Sequence, residues 1–107
     1  MRSSVLRVLV MLTAHPGRLE ALQAYEAAVM PILCEHGAKL TAAFRPEPSA
    51  KAPDEIHWLE FPDLGALTAY RADPRVAALA DQRAEAVAAT EVFVAAEDVD
   101  YGEEDAS

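Results

Sequence analysis

A chain of 107 residues, 52% of them apolar, falls in the size range of a single domain and can bury one modest core. Its formal charge of −9 is concentrated at one end: six acids and no base lie between Glu97 and Ser107, which leaves −3 on everything before them. With Lys39 and Lys51 as its only lysines it lacks the clustered cations that track phosphates, and no run approaches the roughly 20 apolar residues of a membrane span, so neither nucleic acid nor membrane is expected as a partner.

The first element is Val5 to Leu12 (VLRVLVML), β-branched and apolar, a strand expected at the centre of a sheet. Arg2 and Arg7 ahead of Val8–Leu12 give it a faint look of a signal peptide. Five apolar residues are fewer than the ~7–15 of a secretory core, and the strand reading stands. After Pro16 and Gly17, Leu19, Leu22, Tyr25, Val29, Ile32 and Leu33 recur at helical spacing up to Gly37. This predicts a helix of about twenty residues with proline in its first turn, a glycine C-cap and an internal proline, Pro31, that should kink it. Ala38 to Phe44 alternates, with Ala38, Leu40, Ala42 and Phe44 on one side, as a second strand does.

The proline-rich stretch RPEPSAKAPDE reads as a loop, and Ile56 to Phe61 as a third strand opposing Ile56, Trp58 and Glu60 to His57, Leu59 and Phe61. Asp63 can cap a short helix bearing Leu64, Leu67 and Tyr70. Asp73 and Pro74 restart a helix expected to run to about Ala89, and Glu91 to Ala96 is the fourth strand. The order β-α-β-β-α-β is the split βαβ arrangement: an α+β, ferredoxin-like fold with a four-stranded antiparallel sheet. Right-handed crossovers put both helices on one face. The other face would be bare and apolar, which predicts a homodimer made by pairing two sheets, with a small-molecule cavity between each sheet and its helices. The domain spans residues 1–98, and 99–107 form an acidic tail.

These segments resemble the DUF1330-type families of the dimeric α/β-barrel superfamily. The likeness rests on Tyr25 followed by Pro31, Leu33 and HGAKL (36–40), on LEFPDLGALTAY (59–70) and on DPRVAALADQR (73–83). The chain departs from that pattern in having Val76 where many members have an aromatic, Ala38 where they have a second glycine, and a longer loop between the second and third strands. The resemblance implies a homodimer and a ferredoxin-like fold. It implies no particular reaction, since the superfamily includes cofactor-free oxygenases, isomerases, decarboxylases, haem enzymes and non-enzymes.

Arg83 shares the apolar stripe of Val76, Leu79 and Val87, so it must pair with a carboxylate such as Glu60, snorkel, or clamp a ligand anion. His57, on the strand face of Leu59 and Phe61, and His15, where the first strand meets the helix, are the candidate proton-transfer residues. Each is more simply accounted for as an ordinary polar residue, because spacing fixes no acidic partner. Tyr25 can hold a substrate oxygen or simply pack. Trp58, Phe61, Phe44 and Phe93 can wall a pocket or be plain core. His36 suits a helix C-terminus.

Ser3, Ser4, Ser49 and Ser107 lie in termini or the loop, where no serine nucleophile is positioned, and Cys34 stands alone, which rules out an internal disulfide and suits a reducing, cytoplasmic setting. No HExxH, metal-ligand spacing, GxGxxG or P-loop occurs, so no metal is expected. Haem on His15, His36 or His57 would rest on lone histidines, and no cofactor is expected. Three functional classes follow: a small-ligand-binding homodimer, a cofactor-independent monooxygenase- or isomerase-like enzyme, and an interaction module with a filled core.

Overall fold

The computed structural model describes residues 5–102. Residues 103–107 of the expected acidic tail lie outside the described residues, as do residues 1–4. Four strands, β1 (Leu6–Ala14), β2 (Lys39–Phe44), β3 (Glu55–Phe61) and β4 (Val87–Val94), form one antiparallel sheet in the order β2-β3-β1-β4. Helix α1 (Leu19–Glu35) follows β1. Between β3 and β4 run α2 (Leu64–Arg71), the single turn α3 (Pro74–Ala77) and α4 (Ala80–Ala86). The strands β1 and β2 are split by β3, as the sequence predicts, and the Cα envelope is 17 Å thick, the depth of one helical layer on one sheet. Among the described residues no helix is long and apolar enough to cross a membrane.

The sheet has two distinct faces. Val8, Leu12 and Ala14 of β1, Leu59 and Phe61 of β3 and Val87 of β4 are buried against Leu22, Tyr25, Val29 and Leu33 of α1, Leu67 of α2 and Ala86 of α4. Phe61 is only 2% exposed, and its burial is worth on the order of 2–3 kcal/mol. The opposite face is bare. There Leu9 lies between Trp58 and Phe93, and Phe44 lies beside Ile56. Trp58, Phe93 and Phe44 are 44%, 54% and 48% exposed. Charged side chains stand at the margins of that face: Lys39 pairs in register with Glu60 and Glu60 with Arg7, and Glu91 of β4 lies opposite Met11. Arg7 also forms an ion pair with Asp98.

Four local expectations need correction. Pro16 and Gly17 form a turn ahead of α1 rather than its first turn: Gly17 adopts φ 74° and the helix begins at Leu19. In β2 the alternation is broken by a bulge between Leu40 and Ala42. Leu40 faces Leu59, whereas Ala42 and Phe44 line up with Trp58 and Ile56 on the bare face. The segment expected as one helix to Ala89 breaks after Ala77 and ends at Ala86, because Val87–Thr90 pair with the end of β1 and satisfy backbone groups that a longer helix would strand. Consequently β4 starts at Val87 rather than Glu91 and ends at Val94 rather than Ala96. Helix α1 runs through Pro31 and closes on Gly37 at φ 87°, where an added Cβ would lie 2.7 Å from Cγ of Pro62.

Two polar anchors hold the helix ends. Asp63 caps α2 by accepting from the Ala66 amide at 2.9 Å. At the other end of the layer, His36 donates to Asp73 at 2.8 Å, and Arg75 bridges Asp73 and Glu35, each at 2.9 Å, which ties the end of α1 to the start of α3. These contacts hold the Asp73 carboxyl well below the usual carboxylate range, Arg75 contributing most and His36 next.

Candidate functional site

Between the covered face of the sheet and the helices lies a cavity of about 260 Å³, slightly below the ~300–1,000 Å³ usual for ligand pockets. Its floor is Val8, Val10 and Leu12 of β1, Leu59 and Phe61 of β3, and Thr90 and Val92 of β4. Its walls are Val29 and Leu33 of α1, with Leu67 and Val76. Into this apolar chamber project Tyr25 and Glu26 from α1, His57 from β3, Tyr70 and Arg71 from α2 and Arg83 from α4.

His57 is 4% exposed, the one buried polar residue among those described. Its Nε2–H donates to Oε1 of Glu55 at 2.9 Å, and its Nδ1 faces Oε1 of Glu26 at 3.7 Å. Glu55 is held in turn by Arg45, whose Nε and guanidinium NH2 reach Oε2 at 3.2 and 3.1 Å. The result is a polar line from the surface at Arg45, through Glu55 and His57, to Glu26 at the cavity wall. Burial raises the Glu26 carboxyl above its ordinary value. His57 and then Arg83 oppose this, while the nearby Glu55 charge adds to it.

On the other side of the cavity Arg83 donates to the Thr90 hydroxyl at 2.5 Å, and its positive charge lies near the Tyr25 phenol. Burial pushes the Tyr25 phenol up despite this cation, and pushes Tyr70 up to about 12, so both hydroxyls keep their protons and act as donors at neutral pH. The cavity therefore sets hydrogen-bond donors (Arg83, Tyr25, Tyr70) against an acceptor, Glu26, with a histidine between two carboxylates behind it. Among the described residues no group of three His, Cys, Asp or Glu side chains converges as metal ligands would.

Of the residues singled out in the sequence, the fold brings His57, Arg83, Tyr25 and Phe61 to this one cavity. It does not bring His15 or Trp58 there. The His15 ring turns to the Ala84 carbonyl at 3.0 Å, and its backbone amide binds the Ala86 carbonyl at 3.1 Å, so it fastens the start of the β1–α1 connection to the end of α4. Trp58 follows the strand period onto the bare face, as do Phe93 across the sheet and Phe44 beyond the bulge, so the aromatic wall reduces to Phe61. Glu60 shares that bare face and is not the partner of Arg83; the guanidinium donates to the Thr90 hydroxyl instead.

Glu26, Glu55 and Tyr70 join the site in the structure without being among the residues the sequence singles out. Their signals were present: Glu55 precedes His57 by two residues and so shares its strand face, and Glu26 sits four after Leu22 and three before Val29, inside the same stripe that marks α1 as a core helix.

No family model matches the sequence, and no curated protein matches it. Solved structures do. A protein of unknown function from Rhodopseudomonas palustris superposes with a TM-score of 0.75 at 18% identity, over 92% of this chain and 86% of that one. A DABB-family protein with a ferredoxin-like fold from Mesorhizobium loti matches at 0.67 and 19% identity, over 87% and 96%. A protein from Bacteroides fragilis described as dimeric, ferredoxin-like and of unknown function matches at 0.66 and 11% identity, over 86% and 95%. At these identities the likeness is one of fold, and the fold is ferredoxin-like α+β.

Proposed function

We propose that the protein is a homodimer of the dimeric α/β-barrel kind, akin to the DUF1330-type families, whose helix-covered cavity binds one small, mainly apolar organic molecule. The observation that carries this reading is the cavity: apolar floor and walls, about 260 Å³, with Arg83, Tyr25, Tyr70, Glu26 and His57 converging on it. The bare face supports the dimer, because Leu9, Trp58, Phe93, Phe44 and Ile56 form a continuous apolar surface of a kind that single subunits seldom leave to water. The similar protein from Bacteroides fragilis is described as dimeric, which agrees with it.

Native mass spectrometry tests both halves. The expected spectrum is a species of two chains carrying one small adduct per chain, released on denaturation. A bare 11.5 kDa particle at micromolar concentration would overturn the dimer, and a dimer that neither carries nor takes up any small organic compound would overturn the cavity reading.

A second reading, a cofactor-independent isomerase- or monooxygenase-like enzyme, draws support from one further observation. His57, buried between Glu55 and Glu26, lines the cavity with a ring that can donate and accept hydrogen bonds, and Arg83 lines the same space. Turnover of the adduct identified by mass spectrometry, lost in His57→Gln with the dimer intact, is the outcome this reading requires.

A further inference from the structure

The two carboxylates beside His57 are not equivalent. Glu55 is saturated, since one oxygen accepts from His57 at 2.9 Å and the other from two nitrogens of Arg45 at 3.2 and 3.1 Å. Glu26 has no such partners. Its side chain is 14% exposed, and the His57 nitrogen it faces, at 3.7 Å, is beyond hydrogen-bond reach. A carboxylate in so dry a place calls for a proton or for a donor brought by an occupant. Across the cavity Arg83 stands exposed at the rim, donates to Thr90 and forms no ion pair with a carboxylate among the described residues, so the remaining donors of its five-donor fork are open to solvent or to an occupant's anion. The chamber thus offers an unsatisfied proton acceptor on one side and an unneutralised cation with hydroxyl donors on the other, separated by apolar walls.

We propose that Glu26 takes a proton from the cavity's occupant, and that this occupant is a one-ring hydroxyl compound, acidified by a conjugated electron-withdrawing group, whose oxygen anion settles on Arg83. The inference rests on the ligand-cavity reading above. In the step, the ligand O–H bond breaks, its electron pair stays on the ligand oxygen beside the guanidinium, and the proton forms a new O–H bond on Glu26. Charge and atoms balance with no oxidant, reductant or metal. The groups that face Glu26 are Tyr25 on its own helix, Tyr70 on α2, Arg83 on α4, and Glu55 and His57 on β3. The two phenols hold their protons more tightly than usual, so they do not compete as acceptors. Burial and the Glu55 charge strengthen Glu26 as a base, which favours capture of the proton.

The probe is 4-nitrophenol, whose anion is yellow. It is added to the full-length protein at a pH where the free dye is mostly colourless. Bound dye is expected to show at least threefold more phenolate than free dye, while calorimetry in two buffers of different ionisation enthalpy finds no proton released, because the protein has kept it. In Glu26→Gln the expected results are loss of the colour, or colour accompanied by one proton released per dye. Three outcomes overturn the proposal: bound dye that stays colourless in the wild type, wild-type colour with a full proton released, or Glu26→Gln colour without release, which would put the proton on His57. Should Glu26→Gln not fold, His57→Gln separates the two acceptors: it is expected to keep the colour without proton release, and colour with one proton released per dye in that variant would overturn the proposal. Failure of the dye to bind removes this ligand class, whereas a dimer without affinity for any organic adduct in native mass spectrometry removes the cavity reading itself.

Discussion

Along β3, His57, Leu59 and Phe61 look toward the helices and are 4%, 6% and 2% exposed, while Trp58 between them stands 44% exposed on the other side. The strand is the same and the chemistry of its residues is similar, so exposure follows from what each face is given to pack against. The covered face is completed within the chain, and its one buried polar residue among those described, His57, is held there by Glu55. The bare face is nearly free of polar groups at its centre, and nothing among the described residues covers it.

Substitutions that act on one face at a time can break or sharpen that contrast. The largest effect is expected from Phe61→Ala on the covered side: a loss of about 3–5 kcal/mol in denaturant unfolding, from lost transfer energy and the cavity left behind. Gly37→Ala follows at about 2 kcal/mol. It forces an L-residue to φ 87° and drives a Cβ to 2.7 Å from Pro62, at the junction where α1 turns into the sheet.

The third change should stabilise. A carboxyl whose affinity for protons is raised on folding contributes fully below its unfolded value, 4.5 for a glutamate, and that contribution is lost as pH rises through the higher folded value. Glu26→Gln removes this loss, so the variant should match the wild type in acid and exceed it at pH 8, read as a pH series of urea midpoints. The smallest effect is expected on the bare side: Trp58→Ala should change the unfolding free energy of the dilute monomer by no more than about 0.5 kcal/mol, yet weaken self-association in light scattering. A Trp58→Ala loss as large as that of Phe61→Ala in the monomer would mean that the two faces are not different in kind.

The architecture was legible because β1 is a continuous β-branched apolar run, α1 and β3 carry clean periodicities, and Asp63, Asp73–Pro74 and Gly37 mark helix ends by local chemistry that tertiary packing left unchanged. The errors arose where long-range pairing overrode a local signal. Val87 fits a helical stripe by spacing, but the last residues of β1 needed a strand partner, and pairing won. The β2 bulge has no sequence signature in KLTAAF, so Phe44 could not be assigned to its face in advance. In the cavity, His57 and Arg83 stood out as polar intruders on apolar stripes. Glu26 meets the same test, and His15, placed at a strand end where clefts often open, is instead claimed by the backbone of α4.

One junction has a mechanical consequence. Helix α4 ends at Ala86 and β4 begins at Val87, with no connecting residue between them, and Arg83 in that last helical turn is latched to Thr90 in the strand that follows. The guanidinium is therefore carried by the outermost strand on the β4 side as a rigid outrigger. Whatever tugs on or stiffens that margin of the sheet, a neighbouring subunit included, repositions the positive end of the chamber directly, without slack to absorb the movement.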